Sequence, residues 1–269
     1  MTILFFGDVV GKLGRRALAK ALPELKKKYQ PDLIMANVEN LAHGQGVTAK
    51  TLNEIKTLGI NVFTSGNHVT KKGEYGELLK SQEFNLLRPA NYPPTVPGKE
   101  YLALNFKTKN GLKKIYIINL LGRVFFSESA DCPFRKLDYL LKLIKPKKSD
   151  IILIDLHAEA TSEKVAFGWY ADGRVSVVLG THTHVPTADE KILPGGTGYL
   201  TDVGMVGGVN TVIGVKKEII IDKFLTQTGM AHEFPENGQA VINAVVVAID
   251  DKTAKCLSLK RIEKLVHIN

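Results

Sequence analysis

Carboxylate, amide and imidazole side chains follow the short apolar segments that predict buried β-strands in this sequence. These segments span residues 3–6, 33–37, 62–65, 151–156 and 175–179. The polar residues that come after them are Asp8, Glu39, Asn40, Asn67, His68, His157, His182 and His184. Because the carboxyl ends of parallel strands meet at one edge of a sheet, we expect these side chains to lie together.

This mixture of side chains suits a pair of divalent metal ions. Two such ions, about 3.5 to 4 Å apart, need a shared carboxylate together with oxygen and imidazole ligands, a donor set that binds Fe, Mn or Zn. Cys132 and Cys256 are far apart and show no CxxC spacing, which excludes a thiolate site. A metal pair polarises a phosphoryl oxygen and makes a bridging hydroxide available near neutral pH, so the set predicts phosphoester hydrolysis.

Each of these residues also has a structural interpretation when it is taken alone. Asp8 could cap the following helix, Asn67 could be a turn residue, and His157, like His68, could be a hydrogen-bonded structural histidine. His182 and His184 favour a metal site more strongly, because side chains two residues apart share one face of extended backbone. Excluding the metal site would require all the structural interpretations to hold together.

Apolar periodicity and turn residues predict the elements that carry these side chains. The first 65 residues alternate between strands and helices, with the helices at 15–29 and 48–58. Hairpins are predicted over 101–119, around Asn110-Gly111, and over 240–262, and further helices at 135–144 and 163–170. This pattern predicts an α/β fold in which two packed mixed β-sheets are flanked by helices.

Composition limits the class of protein. A chain of 269 residues that is 44% hydrophobic and 23% charged is typical of a globular protein, and we expect a single domain over residues 1–269. No apolar run approaches the length of a membrane span and no basic leader precedes the first strand, so we expect a cytoplasmic protein without membrane contact. The net charge of +9 favours anionic partners, but the lysines are scattered, which does not indicate an RNA-binding surface.

Seven motifs between residues 7 and 205 together carry a family resemblance. In chain order they are GDVVGKLGR, NVEN, TSGNHV, RPANYP, HAEATSEK, GTHTHVPTAD and TDVGM. Their order resembles the calcineurin-like metallophosphoesterase superfamily, and within it the bacterial YmdB-type branch. The resemblance implies a four-layer α/β/β/α metallophosphoesterase sandwich and an activity similar to that of 2',3'-cyclic-nucleotide phosphodiesterases.

The resemblance also implies how the polar residues divide between two metal ions. The first ion would be held by Asp8, Glu39, Asn40 and His184. The second ion would be held by Glu39, Asn67, His157 and His182, so that Glu39 bridges the pair. His68 would face the phosphate as the acid that protonates the leaving group or as a transition-state donor.

Three positions depart from the wider superfamily. Val10 stands where a first-strand histidine is usual, Glu39-Asn40 replaces the usual bridging aspartate, and Val69 occupies an acidic position. Asn40 would then take the vacant coordination position. At these positions the sequence resembles the YmdB-type branch rather than the wider superfamily. The sequence does not show which metal such a site prefers.

Several functional alternatives remain open from the sequence. The chain could be a phosphodiesterase acting on cyclic nucleotides or related small phosphodiesters, a phosphomonoesterase, or a regulatory RNA- or protein-binding module with a structural metal site. A homo-oligomer is possible. Substrate specificity is expected to come from loops at 43–47, 88–97 and 204–210, and Glu159 and Glu163 are expected to orient His157 or to cap a helix.

Overall fold

Two mixed β-sheets lie face to face in the computed structural model, which describes residues 1–108 and 111–269. The seven-stranded sheet contains β1 (Thr2–Phe6), β2 (Asp8–Val9), β3 (Leu33–Asn37), β4 (Val62–Thr64), β11 (Met205–Gly208), β14 (Gly238–Ile249) and β15 (Cys256–Ile268). The six-stranded sheet contains β5 (Tyr101–Thr108), β6 (Gly111–Leu121), β7 (Ile151–His157), β8 (Val177–Thr181), β9 (Lys191–Ile192) and β10 (Gly198–Leu200).

Helices and one small hairpin are the other regular elements of the described residues. The helices are α1 (Gly11–Tyr29), α2 (Ala49–Lys56), α3 (Tyr75–Lys80), α4 (Pro133–Ile144), α5 (Thr161–Ala171) and α6 (Lys217–Thr226). The hairpin pairs β12 (Thr211–Val212) with β13 (Val215–Lys216). Among the described helices, none has both the length and the apolar character needed to cross a bilayer.

Alternation of side chains along β1 places the chain's apolar residues in separate layers. Ile3 and Phe5 point to the second sheet, where they join Ile117 of β6 and Leu153 of β7 in the core between the sheets. Their neighbours on β1 point the other way, because successive side chains of a strand face opposite sides of the sheet. The central core is therefore built from the inner faces of both sheets.

Helices cover the two outer faces. Leu4 and Phe6 pack with Leu18 of α1 on the outside of the first sheet. On the outside of the second sheet, Ile154 packs with Leu140 of α4. Helix, sheet, sheet and helix thus form four layers, which confirms the predicted fold class.

Parallel pairing brings the ends of several strands to one edge. In the first sheet β1, β3 and β4 are parallel neighbours, and in the second sheet β6, β7 and β8 are parallel neighbours. Within each sheet, the loops that leave the carboxyl ends of these strands therefore lie at one edge, where α/β sheets commonly bind ligands. The two edges meet, since His157 at the end of β7 lies 3.1 Å from Glu39, which follows β3.

The structure corrects the predicted loop over residues 204–210. Met205–Gly208 forms β11, which pairs with β2 on one side and β14 on the other. Because this strand contains two glycines, it lacks the apolar periodicity that identifies a strand in a sequence. Helix α1 packs closely over β11, since a Cβ at Gly14 would lie 2.4 Å from the Val206 carbonyl oxygen. The predicted pairing of β5 with β6 is confirmed, while Asn110 of the predicted turn lies outside the described residues.

Candidate metal centre

Glu39 lies at the middle of the predicted site, in the loop that follows β3. Its Oε1 is 3.1 Å from His157 Nε2 and 3.2 Å from His68 Nδ1, and its Oε2 accepts a hydrogen bond of 3.1 Å from the His68 backbone N–H. One ligand atom from each of Glu39, His157 and His182 can be chosen so that all lie within 4.8 Å of one another. The end of β7 and the loops after β3, β4 and β8 therefore come together around the Glu39 carboxylate.

The other predicted residues surround this cluster. Asp8 Oδ2 accepts a hydrogen bond of 3.1 Å from the His182 backbone N–H. Asn40 Oδ1 is 3.3 Å from His184 Nε2, and Asn40 Nδ2 is 3.3 Å from His68 Nδ1. The remaining predicted residue, Asn67, lies between Gly66 and His68 in the loop after β4. The fold thus brings all the predicted site residues to one edge.

Three buried oxygen atoms at this edge have no hydrogen-bond partner among residues 1–108 and 111–269. They are Asp8 Oδ1, Glu39 Oε1 and Asn67 Oδ1. Glu39 Oε1 lies close to two imidazoles, but neither contact has the geometry of a hydrogen bond. Buried polar atoms are normally hydrogen-bonded, and leaving one without a partner is costly. All three belong to predicted metal ligands, and together with the imidazoles they form a donor set that fits divalent cations.

Burial and neighbouring charges act differently on the two carboxylates. Burial raises the pKa of Asp8, and the nearby imidazoles only partly offset this effect. Burial also raises the pKa of Glu39, but the charge of His157 beside it holds that pKa well below its usual value. For His157 itself, burial lowers the pKa, whereas the negative charge of Glu39 raises it to about 9. Glu39 and His157 thus stabilise each other's charged forms.

A buried network behind the site orients His157. Thr181 Oγ1 donates a hydrogen bond of 2.7 Å to Asp155 and lies 2.8 Å from His157 Nδ1. Asn37 Nδ2 donates to the same carboxylate at 2.9 Å. Because the Thr181 hydroxyl proton is directed to Asp155, its oxygen accepts from Nδ1–H of His157 and leaves Nε2 facing Glu39.

The sequence contains a signal for this network that the strand pattern did not assign. Asp155 interrupts the apolar strand IILIDLH, and Asn37 ends the strand LIMAN. Both side chains are buried. A polar residue inside an otherwise apolar strand needs a buried partner, so these two positions could have been identified as supports for a site.

The two histidines of the GTHTH motif do not lie in extended backbone, so the prediction that their side chains share one face is wrong. His182 has φ 104° and His184 has φ 65°, both outside the extended region. His182 Nδ1 is 3.0 Å from His157 Nε2, whereas His184 Nδ1 donates to the Ile213 carbonyl oxygen at 2.8 Å. The turn therefore directs the imidazoles to different sides of the centre.

The turn that carries these histidines is fixed by a buried ion pair. Asp202 Oδ2 accepts hydrogen bonds from Lys164 Nζ at 2.6 Å and from the Thr183 backbone N–H at 3.1 Å. Lys164 also donates to the Thr181 carbonyl oxygen at 2.9 Å. Both charged side chains are almost fully buried. This pair ties α5 to the residues on either side of His182.

Two glutamates of the HAEATSEK motif have partners other than His157. Glu159 was expected to orient His157 or cap a helix, but its Oε2 lies 2.9 Å from His182 Nε2. Glu163 accepts hydrogen bonds from the backbone N–H groups of Arg123 and Val124. Neither of these contacts is made with His157.

The family assignment follows from comparison of the whole chain. The family described as YmdB-like protein matches residues 4–262. The chain belongs to the YmdB-like family. It is 45% identical over 262 residues to the 2',3'-cyclic-nucleotide 2'-phosphodiesterase of Bacillus subtilis, an alignment that covers 97% of this chain and 96% of that relative. The predicted resemblance to the YmdB-type branch is confirmed.

Solved structures of similar proteins share the fold. The crystal structure of a novel phosphatase from Mycoplasma pneumoniae has a TM-score of 0.91 and 36% identity, over 100% of this chain and 94% of that chain. A hypothetical protein from Thermus thermophilus has a TM-score of 0.89 and 37% identity, over 98% of this chain and 99% of that chain. The predicted metallophosphoesterase-type sandwich is therefore the fold of this family.

Proposed function

We propose that this YmdB-like chain is a dinuclear metal-dependent phosphodiesterase that hydrolyses 2',3'-cyclic nucleotides or related small phosphodiesters. The observation that carries the proposal is the set of buried oxygens on Asp8, Glu39 and Asn67 that have no hydrogen-bond partner in the described part of the chain, together with the cluster of Glu39, His157 and His182. Buried oxygens without protein partners are expected where a cation completes the site. The cyclic-nucleotide substrate comes from similarity to the Bacillus subtilis relative.

The proposed ligands divide into the two groups implied by the resemblance. Asn40 Oδ1 and His184 Nε2 lie 3.3 Å apart, and one ligand atom from each of Glu39, His157 and His182 lies within 4.8 Å of the other two. Divalent ions bound there polarise a phosphoryl oxygen and supply hydroxide near neutral pH. Iron, manganese and zinc all fit nitrogen and oxygen donors of this kind.

His68 is proposed as the proton donor to the leaving group. Its side chain is 22% exposed, whereas those of Glu39 and His157 are buried. Nδ1 faces Glu39 and Asn40, so Nε2 is the nitrogen left to reach a substrate. Hydroxide would bond to phosphorus as the bond from phosphorus to the 2'-oxygen breaks, the bond that the name of the Bacillus subtilis relative specifies. A proton from Nε2 would neutralise that oxygen, and a nucleoside 3'-monophosphate would result.

The proposal is tested by hydrolysis of 2',3'-cyclic nucleotides and bis(p-nitrophenyl) phosphate with added Fe²⁺, Mn²⁺ or Zn²⁺ and with chelator. Wild type should be active with metal and inactive with chelator. Glu39→Gln should lose activity, and Glu77→Gln, a change at an exposed residue of α3, should keep it. Hydrolysis of phosphomonoesters alone would favour a phosphatase, and inactivity with every metal combined with RNA binding would favour the binding-module alternative.

Three further statements from the sequence stay predictions. A single domain over residues 1–269, a cytoplasmic location and self-association each need their own measurement. Limited proteolysis, fractionation of cells and sedimentation of the purified protein test them in turn.

A further inference from the structure

A cavity of about 450 Å³ lies beside the candidate metal centre, and we call it the side cavity. Its walls come from the Pro-rich loop between α3 and β5 and from the loop after β6. The lining residues that matter below are Pro93, Arg123, Phe126, Ser127, Glu128 and Asp131. Small-molecule sites in proteins commonly have volumes of about 300 to 1,000 Å³, so a cavity of this size can hold part of a nucleotide.

Phe126 joins the side cavity to the metal centre. Its ring centroid is 4.8 Å from that of His182 and 6.4 Å from that of His157. A molecule whose phosphate lies at Glu39 could therefore extend into the side cavity.

Buried polar side chains hold the cavity walls in one conformation. Asn91 Nδ2 donates to the carbonyl oxygens of Leu121 at 2.7 Å and Asp131 at 2.8 Å, which ties the two loops together. Glu163 Oε1 accepts from the Arg123 backbone N–H at 3.0 Å. Gly122 N–H donates to the His157 carbonyl oxygen at 2.9 Å. The loop after β6 therefore begins beside His157 of the candidate metal centre.

Phe125 shows that this loop is held under backbone strain. It has φ 67°, a left-handed conformation that bulky residues rarely adopt, and 85% of its surface is exposed. The Phe126 backbone N–H closes a turn on the Arg123 carbonyl oxygen. Strained backbone fixed by its surroundings is concentrated at ligand-binding sites, because there it positions side chains in advance.

The side chains of the side cavity suit an uncharged planar ring. Phe126 supplies an aromatic face, and aromatic faces stack well on nucleobases. Glu128 and Asp131 outnumber Arg123 among the charged side chains of the lining, and the resulting net negative charge disfavours a second phosphate in this cavity. Carboxylates instead accept hydrogen bonds from the amino groups of bases such as cytosine. The guanidinium of Arg123 has no hydrogen-bond partner within the described part of the chain, so it remains available to a ligand.

We propose that the side cavity binds the nucleobase of the substrate, with Phe126 stacking on the ring and Glu128 accepting from its amino group. This inference rests on the proposed function and extends it by assigning the residues that recognise the base. The phosphate would lie at the metal centre and the base would lie against the loop after β6.

Binding of a hydrolysis product tests this without turnover. The metal-loaded chain is titrated with cytidine 3'-monophosphate and with ribose 3-phosphate, which lacks the base. We expect wild type to bind the nucleotide at least about tenfold more tightly, because stacking and a charged hydrogen bond are both lost with the base. Glu128→Ala and Phe126→Leu should each reduce this ratio at least about fivefold.

Glu77→Ala on α3 is the matched control and should leave the ratio unchanged. Metal content is measured for each variant, since Phe126 contacts His182. The inference is overturned if wild type binds cytidine 3'-monophosphate and ribose 3-phosphate with equal affinity. It is also overturned if the ratio of these two affinities in Glu128→Ala equals the ratio in the control. A chain that binds the base but hydrolyses no cyclic nucleotide refutes the proposed function and leaves the base-binding cavity supported.

Discussion

Gly66 lies where a single methyl group would collide with both side chains at the middle of the candidate metal centre. A Cβ at this position would be 2.1 Å from Glu39 Oε2, 2.3 Å from His157 Cδ2 and 2.4 Å from His157 Nε2. Both side chains are buried, so neither can move aside without displacing its neighbours. The substitution Gly66→Ala therefore forces Glu39 or His157 out of position.

The expected effect on activity is large. Restoring a normal contact requires Glu39 or His157 to move by about 1 Å, and a displacement of that size can lower a reaction rate about 100-fold. The overpacking should also destabilise the fold by about 1–3 kcal/mol, which leaves the protein folded for assay. Metal content and kcat on a cyclic nucleotide are measured for the folded variant, and both should fall.

Gly73→Ala is the control, since a Cβ there would meet no atom within 4 Å in the described structure. It should retain wild-type metal content and activity. The reasoning is refuted if Gly66→Ala, folded by circular dichroism, keeps its metal and hydrolyses the substrate within about twofold of the control, because a 1 Å displacement should cost far more.

The remaining predictions concern roles, stability and a thiol. His68→Ala should lower turnover while keeping most of the metal, whereas His182→Ala should lose metal; equal losses by elemental analysis would contradict their different roles. Lys164→Met leaves the Asp202 carboxylate buried without its charged partner, so it should lower the free energy of unfolding by about 3–5 kcal/mol. Urea denaturation measures this change, and a decrease of less than about 1 kcal/mol would contradict a stabilising ion pair. Burial raises the pKa of Cys256 to about 11. Its thiol is therefore neutral at pH 8 and should resist a thiol reagent until urea is added, while rapid labelling of the native protein would contradict this.

The layers of the fold could be predicted from the sequence because they depend on local periodicity. The alternation along β1 and the βα order of the first 65 residues indicate which faces are buried. The segment from β11 to α6 could not be predicted in this way. Its glycine-rich strand is defined by pairing with β2 and β14, which are distant in sequence.

The sequence predicts that the candidate residues lie at one edge, but it does not predict the geometry of their side chains. Asp8, Glu39 and the histidines are recognisable because they follow strands that end at one edge. The sequence does not show the positive φ angles of His182 and His184, and the Asp202–Lys164 pair that contacts this turn comes from distant parts of the chain. Their roles as metal ligands stay predictions until metal is located.

Anomalous diffraction from crystals of the chain grown with Mn²⁺ tests the central claim most directly. The account predicts two manganese peaks at this edge, with a Glu39 oxygen shared between them and the unpartnered oxygens of Asp8 and Asn67 each bound to one ion. An edge without anomalous peaks, in which these oxygens bind only water or protein groups, would contradict it.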